Sequence, residues 1–268
     1  MEQLISILKE GKKNFGFLGV KAEFEAEGTR MNEMILLSQI VRKAGLNLGV
    51  KIGGCEAISD LYNTKLLGVE YIIAPMIETP YALSKYIEAK NKVYSPKEQD
   101  SVKFLFNLET ITAFNNLEGL ATVFAEQKQT DGIVFGRVDF VSSLGLSRDD
   151  IGSNKIQSYL DKTSSVCQEH NLDFVLGGGV SIETIEPVKK VQKNYLTRFE
   201  TRKVIFDASI LQNTGISLNE AIKLSVEFEL AWLKYKRDYY SVIAKEDVDR
   251  ISMLESRFEI IPPLSNVS

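Results

Sequence analysis
The chain has 268 residues, 44% hydrophobic and 25% charged, ordinary globular proportions with length enough to bury a large core without staples. Its 32 Lys and Arg against 36 Asp and Glu give a net charge of −4, so charge offers no reason to expect a nucleic-acid partner. Apolar runs of about 18 residues are absent, as is a signal-peptide pattern at the start, and Cys55 and Cys167 lie far apart; a reduced, cytoplasmic protein without a membrane span is expected.

The elements alternate along the chain. Residues 1–10 read as a short amphipathic helix. Helical periodicity follows at 32–44, 56–67, 80–90, 112–126, 153–169, 182–191 and 218–239. Short apolar runs of strand type occupy 20–26, 46–52, 71–74, 104–108, 132–135, 173–176 and 204–206. Gly45, Gly68 and Asn171 stand where helices should end. Regular βα alternation predicts parallel strands covered by helices. The fold expected is α/β, a (β/α)8 TIM-type barrel forming one domain over residues 1–268. Residues 217–268 form its C-terminal helical extension, made of the 218–239 helix and a further segment at 246–258, and offer a contact for a homo-oligomer. The eighth strand is sought in Phe15-Gly16-Phe17-Leu18, run together with the strand after it. A doubly wound sheet is the alternative, but no Gly-rich fingerprint follows the first strand.

Only one histidine, His170, is present, and it reads as a helix C-terminal residue. Chemistry in this chain therefore falls to carboxylates, lysines, arginines or a metal. Strand parity sends Lys21, Glu23, Glu25 and Glu27 toward the barrel axis, with Lys51 from the second strand. Leu105, Asn107 and Glu109 follow from the fourth, and Arg137 and Asp139 from the end of the fifth. That much inward charge is costly unless paired or holding a metal. An exposed edge strand with solvated carboxylates is the bland alternative for residues 23–27.

Asn107-Leu108-Glu109-Thr110, followed by Gly136-Arg137-Val138-Asp139 and then Leu144-Gly145, resembles the HpcH/HpaI aldolase and citrate lyase beta-chain family. Ile73-Ala74-Pro75-Met76-Ile77-Glu78-Thr79 is similar to that family's Pro-Met stretch. Val50-Lys51-Ile52 lies where the family carries a substrate arginine, and Glu25-Ala26-Glu27-Gly28-Thr29-Arg30 where aldolases carry an acidic-Gly-Glu-His turn. The resemblance spans roughly residues 20–235. It implies a barrel binding Mg2+ or Mn2+ through Glu109 and Asp139, with a 2-oxo acid or related carboxylate as substrate. Carbon–carbon bond cleavage or formation would then pass through a pyruvate-like enolate, as in a class II aldolase or citrate lyase. The N–H groups of Val138 and Asp139 would receive the substrate carboxylate, with Met76 nearby.

Two departures stand out. Lys51 replaces the arginine, keeping the charge without the bidentate fork. Arg30 replaces the histidine; it cannot act as a base but can bind a carboxylate or phosphate of a second substrate. Proton transfer then falls to Glu27, Glu25 or a metal-bound water, which makes Lys51, Arg30 and Glu27 the catalytic candidates. Arg137 reads equally as substrate ligand or internal salt bridge. Glu78 is either support for the metal or a helix N-terminal charge. Gly177-Gly178-Gly179 either offers N–H groups to an anion or permits close packing. Cys55 reads as inert packing rather than a reactive thiol. Trp232, Tyr235, Tyr239 and Tyr240 read as packing or a subunit contact. Two other functions remain open: a Schiff-base aldolase using Lys51, and a non-catalytic relative that binds an acidic metabolite within a complex.

Overall fold
Eight strands close into a barrel in the order β1 to β8 in a computed structural model that describes residues 1–127 and 130–260. Helix α1 (Glu2–Asn14) leads into β1 (Phe17–Glu23). Then come α2 (Met31–Ala44), β2 (Asn47–Lys51), α3 (Ile58–Leu67), β3 (Tyr71–Ala74), α4 (Pro80–Val93) and the single turn α5 (Pro96–Gln99). The middle of the chain supplies β4 (Lys103–Leu108), α6 (Ile111–Asn115), α7 (Leu117–Gln127), β5 (Gly132–Gly136), α8 (Arg137–Ser143) and α9 (Asn154–Glu169). The last part holds β6 (Asp173–Gly177), α10 (Ile185–Gln192), β7 (Arg198–Glu200), β8 (Val204–Asp207) and α11 (Leu218–Ile260).

Local signals place the helix ends. Thr79 caps α4 by accepting from the N–H of Ala82 at 3.1 Å, with Pro80 in the first turn. Gly45 and Gly68 end α2 and α3 in the left-handed conformation, at φ 70° and 63°. His170 is the C-cap of α9, as its sequence context predicts.

Two expectations about the strands need correction. The strand not read from the sequence is β7, Arg198–Glu200, three residues that stand out neither by length nor by hydrophobicity. Residues 17 and 18 belong instead to β1, which ends at Glu23 rather than Ala26. The chain turns there because the N–H of Thr29 donates back to the carbonyl of Glu23 at 3.0 Å, with Gly28 at φ 55°. The barrel is also not wholly parallel. Strands β1 to β7 pair in parallel, but β8 runs antiparallel to both β7 and β1. Only Thr201-Arg202-Lys203 joins β7 to β8. A parallel crossover needs about a dozen residues or more, so this link can make only a hairpin. The N–H of Thr201 donates to the carbonyl of Val204 at 3.0 Å and closes it.

Inside the barrel, Ile73, Leu105, Val134 and Val175 form an apolar plug from four successive strands. The helix-facing residues of the same strands, such as Ile72, Phe104, Ile133 and Phe174, are fully buried.

The chain divides into two compact units, Met1–Glu229 and Leu230–Ser268. Helix α11 runs unbroken to Ile260, where a helix to Tyr239 and a separate segment at 246–258 were expected. No Gly or Pro stands between Leu218 and Ile260 to stop it. Residues 261–268 of the expected extension lie outside the described residues. Within the second unit Trp232 stacks on Tyr235, with ring centroids 6.1 Å apart. Among the described residues, no helix is long and apolar enough to cross a membrane.

Candidate active site
Strand alternation carries charge above the apolar plug. A cavity of about 360 Å3 opens there, lined by Lys21 and Glu23 from β1, Lys51 from β2, and Asn107 and Glu109 from β4. Val134 of the plug lines it too, so charge and packed core meet at this level. The β5–α8 junction adds Gly136, Val138 and Asp139, and the β6 end adds Gly177-Gly178-Gly179. These are the carboxyl ends of parallel strands, where barrels of this kind gather their reactive groups.

Glu109 is a buried carboxylate held by three donors. It is 1% exposed. Its Oε1 accepts the N–H of Met76 at 3.0 Å, and its Oε2 accepts Asn107 Nδ2 at 2.6 Å and Lys51 Nζ at 3.3 Å. Burial raises its pKa, against the opposing pull of Lys51, Met76 and Asn107; the charge of Asp139 raises it further. Met76 donates from an unusual backbone, with φ 51°, so part of the strain of this turn serves to aim its N–H. Gly136 is required beside it: a Cβ there would lie 2.9 Å from Glu109 Cβ and 3.0 Å from its Oε2.

Lys51 lies between two carboxylates, 3.0 Å from Glu25 Oε2 and 3.3 Å from Glu109 Oε2. Burial pushes its pKa down, but Glu109 and Glu25 more than reverse this and leave it raised. Lys51 is therefore an ammonium at neutral pH.

A second ion-pair group joins β1 to β7. Lys21 Nζ is 2.5 Å from Glu200 Oε1 and 3.6 Å from Glu23. Burial is again outweighed, by Glu200 and Glu23, and the Lys21 pKa is raised. Glu200, Arg202 and Arg148 all line the cavity without having been singled out from sequence. Glu200 could have been found: charge alternates with Phe199 in Arg198-Phe199-Glu200, the period of a strand, but three residues make a weak signal.

The remaining candidates scatter. Glu27 pairs with Lys203 and lies 3.3 Å from Arg202, so two cations hold it in the turn after β1. Arg30 caps α2 and pairs with Glu33 at 3.2 Å, with 69% of its side chain exposed. Neither lines the cavity. Arg137 is fully buried behind the glycine loop, outside the cavity lining. Its Nε donates to Gly178 O at 3.0 Å, while Nη1 and Nη2 lack partners; burial lowers its pKa to about 10. It forms no salt bridge with an acidic residue among those described, contrary to the internal ion pair considered from sequence. Glu78 accepts from Thr110 Oγ1 at 2.6 Å, tying the β3 turn to the start of α6. Gly178 and Gly179 have φ 77° and 64°. Cys55 and Cys167 are both free thiols, the second buried.

The HpcH/HpaI aldolase/citrate lyase profile matches residues 33–176, more than half the chain. The chain belongs to the HpcH/HpaI aldolase/citrate lyase family. The match includes Lys51, Met76, Glu109 and Asp139, and it supports a lyase-type enzyme. Among solved structures, the HpcH/HpaI aldolase of Desulfitobacterium hafniense DCB-2 shares 12% identity over 79% of this chain and 85% of its own, with a TM-score of 0.60. The citrate synthase SbnG shares 16% over 88% and 90%, at 0.59. An HpcH/HpaI aldolase/citrate lyase family protein of Burkholderia cenocepacia J2315 shares 12% over 85% and 98%, at 0.56. At such identities these structures establish the fold alone. A search of curated protein sequences returns no match.

Proposed function
We propose that this family member is a divalent-metal-dependent carbon–carbon lyase, of class II aldolase or citrate-lyase type, acting on a 2-oxo acid or related carboxylate. The observation that carries the reading is Glu109. It is a buried carboxylate at the end of a barrel strand, oriented by three donors and sharing one cavity with Asp139.

The residues present fit Mg2+ or Mn2+. Glu109 and Asp139 are hard oxygen donors, and Asn107 Oδ1, on the side chain that donates to Glu109, is buried without a hydrogen-bond partner. Among the described residues, no three His, Cys, Asp or Glu side chains cluster as a metal cage. Mg2+ does not need one, because it commonly uses one or two carboxylates and completes its shell with waters or substrate oxygens. Bound there, the ion supplies Lewis acidity toward the carboxylate and keto oxygens of a 2-oxo acid.

The chain's own residues do the rest. Lys51 holds a positive charge beside Glu109, suited to negative charge developing on the substrate keto oxygen. Asn107 and the Met76 N–H fix the Glu109 carboxylate. Val138 and Asp139, in the first turn of α8, have N–H groups without intrahelical partners and suit a substrate carboxylate. Glu25 is the proton-transfer candidate in contact with Lys51, whereas Glu27 is committed to Lys203 and Arg202. Arg148, at the cavity lining, suits an anionic group on the second reactant. The paired, protonated state of Lys51 opposes the Schiff-base route, which needs a neutral amine.

The test is deuterium exchange into the methyl group of pyruvate, with Mg2+ and with EDTA. Metal-dependent exchange that disappears in Glu109→Gln and in Asp139→Asn supports the reading. Undiminished exchange in EDTA, or a borohydride-trapped adduct at Lys51, overturns it. No exchange under any condition would point to the metabolite-binding alternative.

A further inference from the structure
The buried lysines of this barrel follow a pattern that one of them breaks. Lys21, Lys51 and Lys203 each have a carboxylate within ion-pairing distance. Lys90, in the last turns of α4, is 3% exposed and makes no ion pair among the described residues, although the Asp131 carboxylate acts on it at longer range. Its Nζ donates to Gln99 Oε1 at 2.7 Å and lies 4.7 Å from the centre of the Phe104 ring. One hydrogen bond and a ring face leave a buried ammonium with unspent donor capacity.

Lys90 borders a cavity of about 420 Å3, distinct from the candidate active site. Its walls come from the end of α4, from α5, from Phe104 near the start of β4 and from Thr130 and Asp131 just before β5. It therefore lies toward the amino-terminal end of the barrel strands, opposite the lyase cavity. Most of its polar groups are already satisfied. Asp131 Oδ2 accepts the N–H of Phe104 at 2.7 Å, and its Oδ1 faces Lys103 at 3.5 Å. Tyr94 shares its hydroxyl with Thr64 at 3.0 Å. Gln99 Nε2 donates to Asn91 at 3.0 Å and to the Tyr94 carbonyl at 2.9 Å, which turns Oε1 toward Lys90. Thr130 is the exception. It is 8% exposed, and its Oγ1 is buried without a partner.

We propose that this cavity is a second binding site, which takes the carboxylate of a small organic acid between Lys90 Nζ and Thr130 Oγ1. The ammonium supplies the counter-charge and the hydroxyl a directed donor. Pro96 and the Phe104 and Tyr94 rings offer apolar wall for the rest of the molecule. Asp100 at the exposed rim and Asp131 disfavour multiply charged anions, so a single carboxylate suits the site better than a phosphate ester. An anion here also removes the anomaly: burial lowers the Lys90 pKa to about 8, against a smaller opposing effect of Asp131, and a bound carboxylate would raise it again.

The experiment uses the full chain with 13C-labelled lysine side chains. The Lys90 Cε resonance is assigned by its loss in Lys90→Met, or in Lys90→Arg if the first variant does not fold. Sodium acetate is titrated at constant ionic strength against chloride, with inorganic phosphate as the second arm. The expected result is a saturable acetate-dependent shift of Lys90, retained in Glu109→Gln, with affinity lowered about fivefold in Thr130→Val for the loss of one hydrogen bond. An unmoved Lys90 resonance overturns the proposal. So does unchanged acetate affinity in Thr130→Val, or a response to phosphate alone.

Discussion
Glu109 shows how much one side chain depends on its neighbours. Three donors converge on it, and two come from other strands or turns: Lys51 from β2 and Met76 from the turn after β3. Asn107 Nδ2 donates from two residues earlier on β4. Replacing it by alanine leaves the strand intact but removes the side-chain donor that fixes Oε2. A loss of about 10–100-fold in metal affinity is expected, read by calorimetric Mn2+ titration. Lys51→Met removes the standing charge and is expected to lower kcat by about 100-fold or more with a smaller change in KM, if Lys51 acts mainly on developing charge. An equal rise in KM at constant kcat would assign it to ground-state binding instead. The residue types at 51, 107, 109 and 139 could be read from sequence, since strand parity points them to one axis. The Met76 N–H could not, because its aim depends on a left-handed φ that no side-chain pattern records.

At the scale of elements, the β7–β8 hairpin decides the far wall of the site. It places Glu200 against Lys21 and brings Lys203 to Glu27. The Lys21–Glu200 pair is nearly buried, with side-chain exposures of 12% and 5%. Lys21→Met strands a carboxylate and is expected to cost about 3 kcal/mol in urea unfolding. The double variant Lys21→Met/Glu200→Gln should recover a large part of that loss; simple additivity of the two single costs would show that the residues do not act as a pair. The glycine loop is the other element with a strict demand. Gly178 has φ 77°, and a Cβ there would lie 2.7 Å from the Arg137 backbone nitrogen. Gly178→Ala should lose at least about 1–2 kcal/mol from the backbone conformation alone. Helices and the long strands were legible because their periods repeat over many residues. The three-residue β7 was not, and a sequence reading that assumes uniform βα alternation has no reason to reverse β8.

For the whole molecule, the placement of unpaired charge shapes stability against pH. Lys90 has a folded pKa of about 8, below the ordinary lysine value of 10.5. Between those values the unfolded chain holds the proton and the folded one does not, so this group makes stability rise as pH increases. Its burden is fully present below about pH 8 and fades toward pH 10.5. Lys90→Met is therefore expected to raise the urea midpoint at pH 7, with the gain shrinking at pH 10; a gain independent of pH would trace to packing rather than charge.

The sequence by itself determined the alternation of strands and helices, the inward polar side chains Lys21, Glu23, Lys51, Asn107 and Glu109, and the motifs that mark the family. Those are local properties, written in periods of two and 3.6 residues and in short strings. Tertiary structure alone decided which charges meet. It joined Lys51 to Glu25 and Glu109, withdrew Glu27 to Lys203, left Arg30 at a helix cap and enclosed Arg137 behind the glycine loop. Partner choice is set by closure of the barrel, which brings Lys21 to Glu200, 179 positions away, and no local pattern encodes that distance.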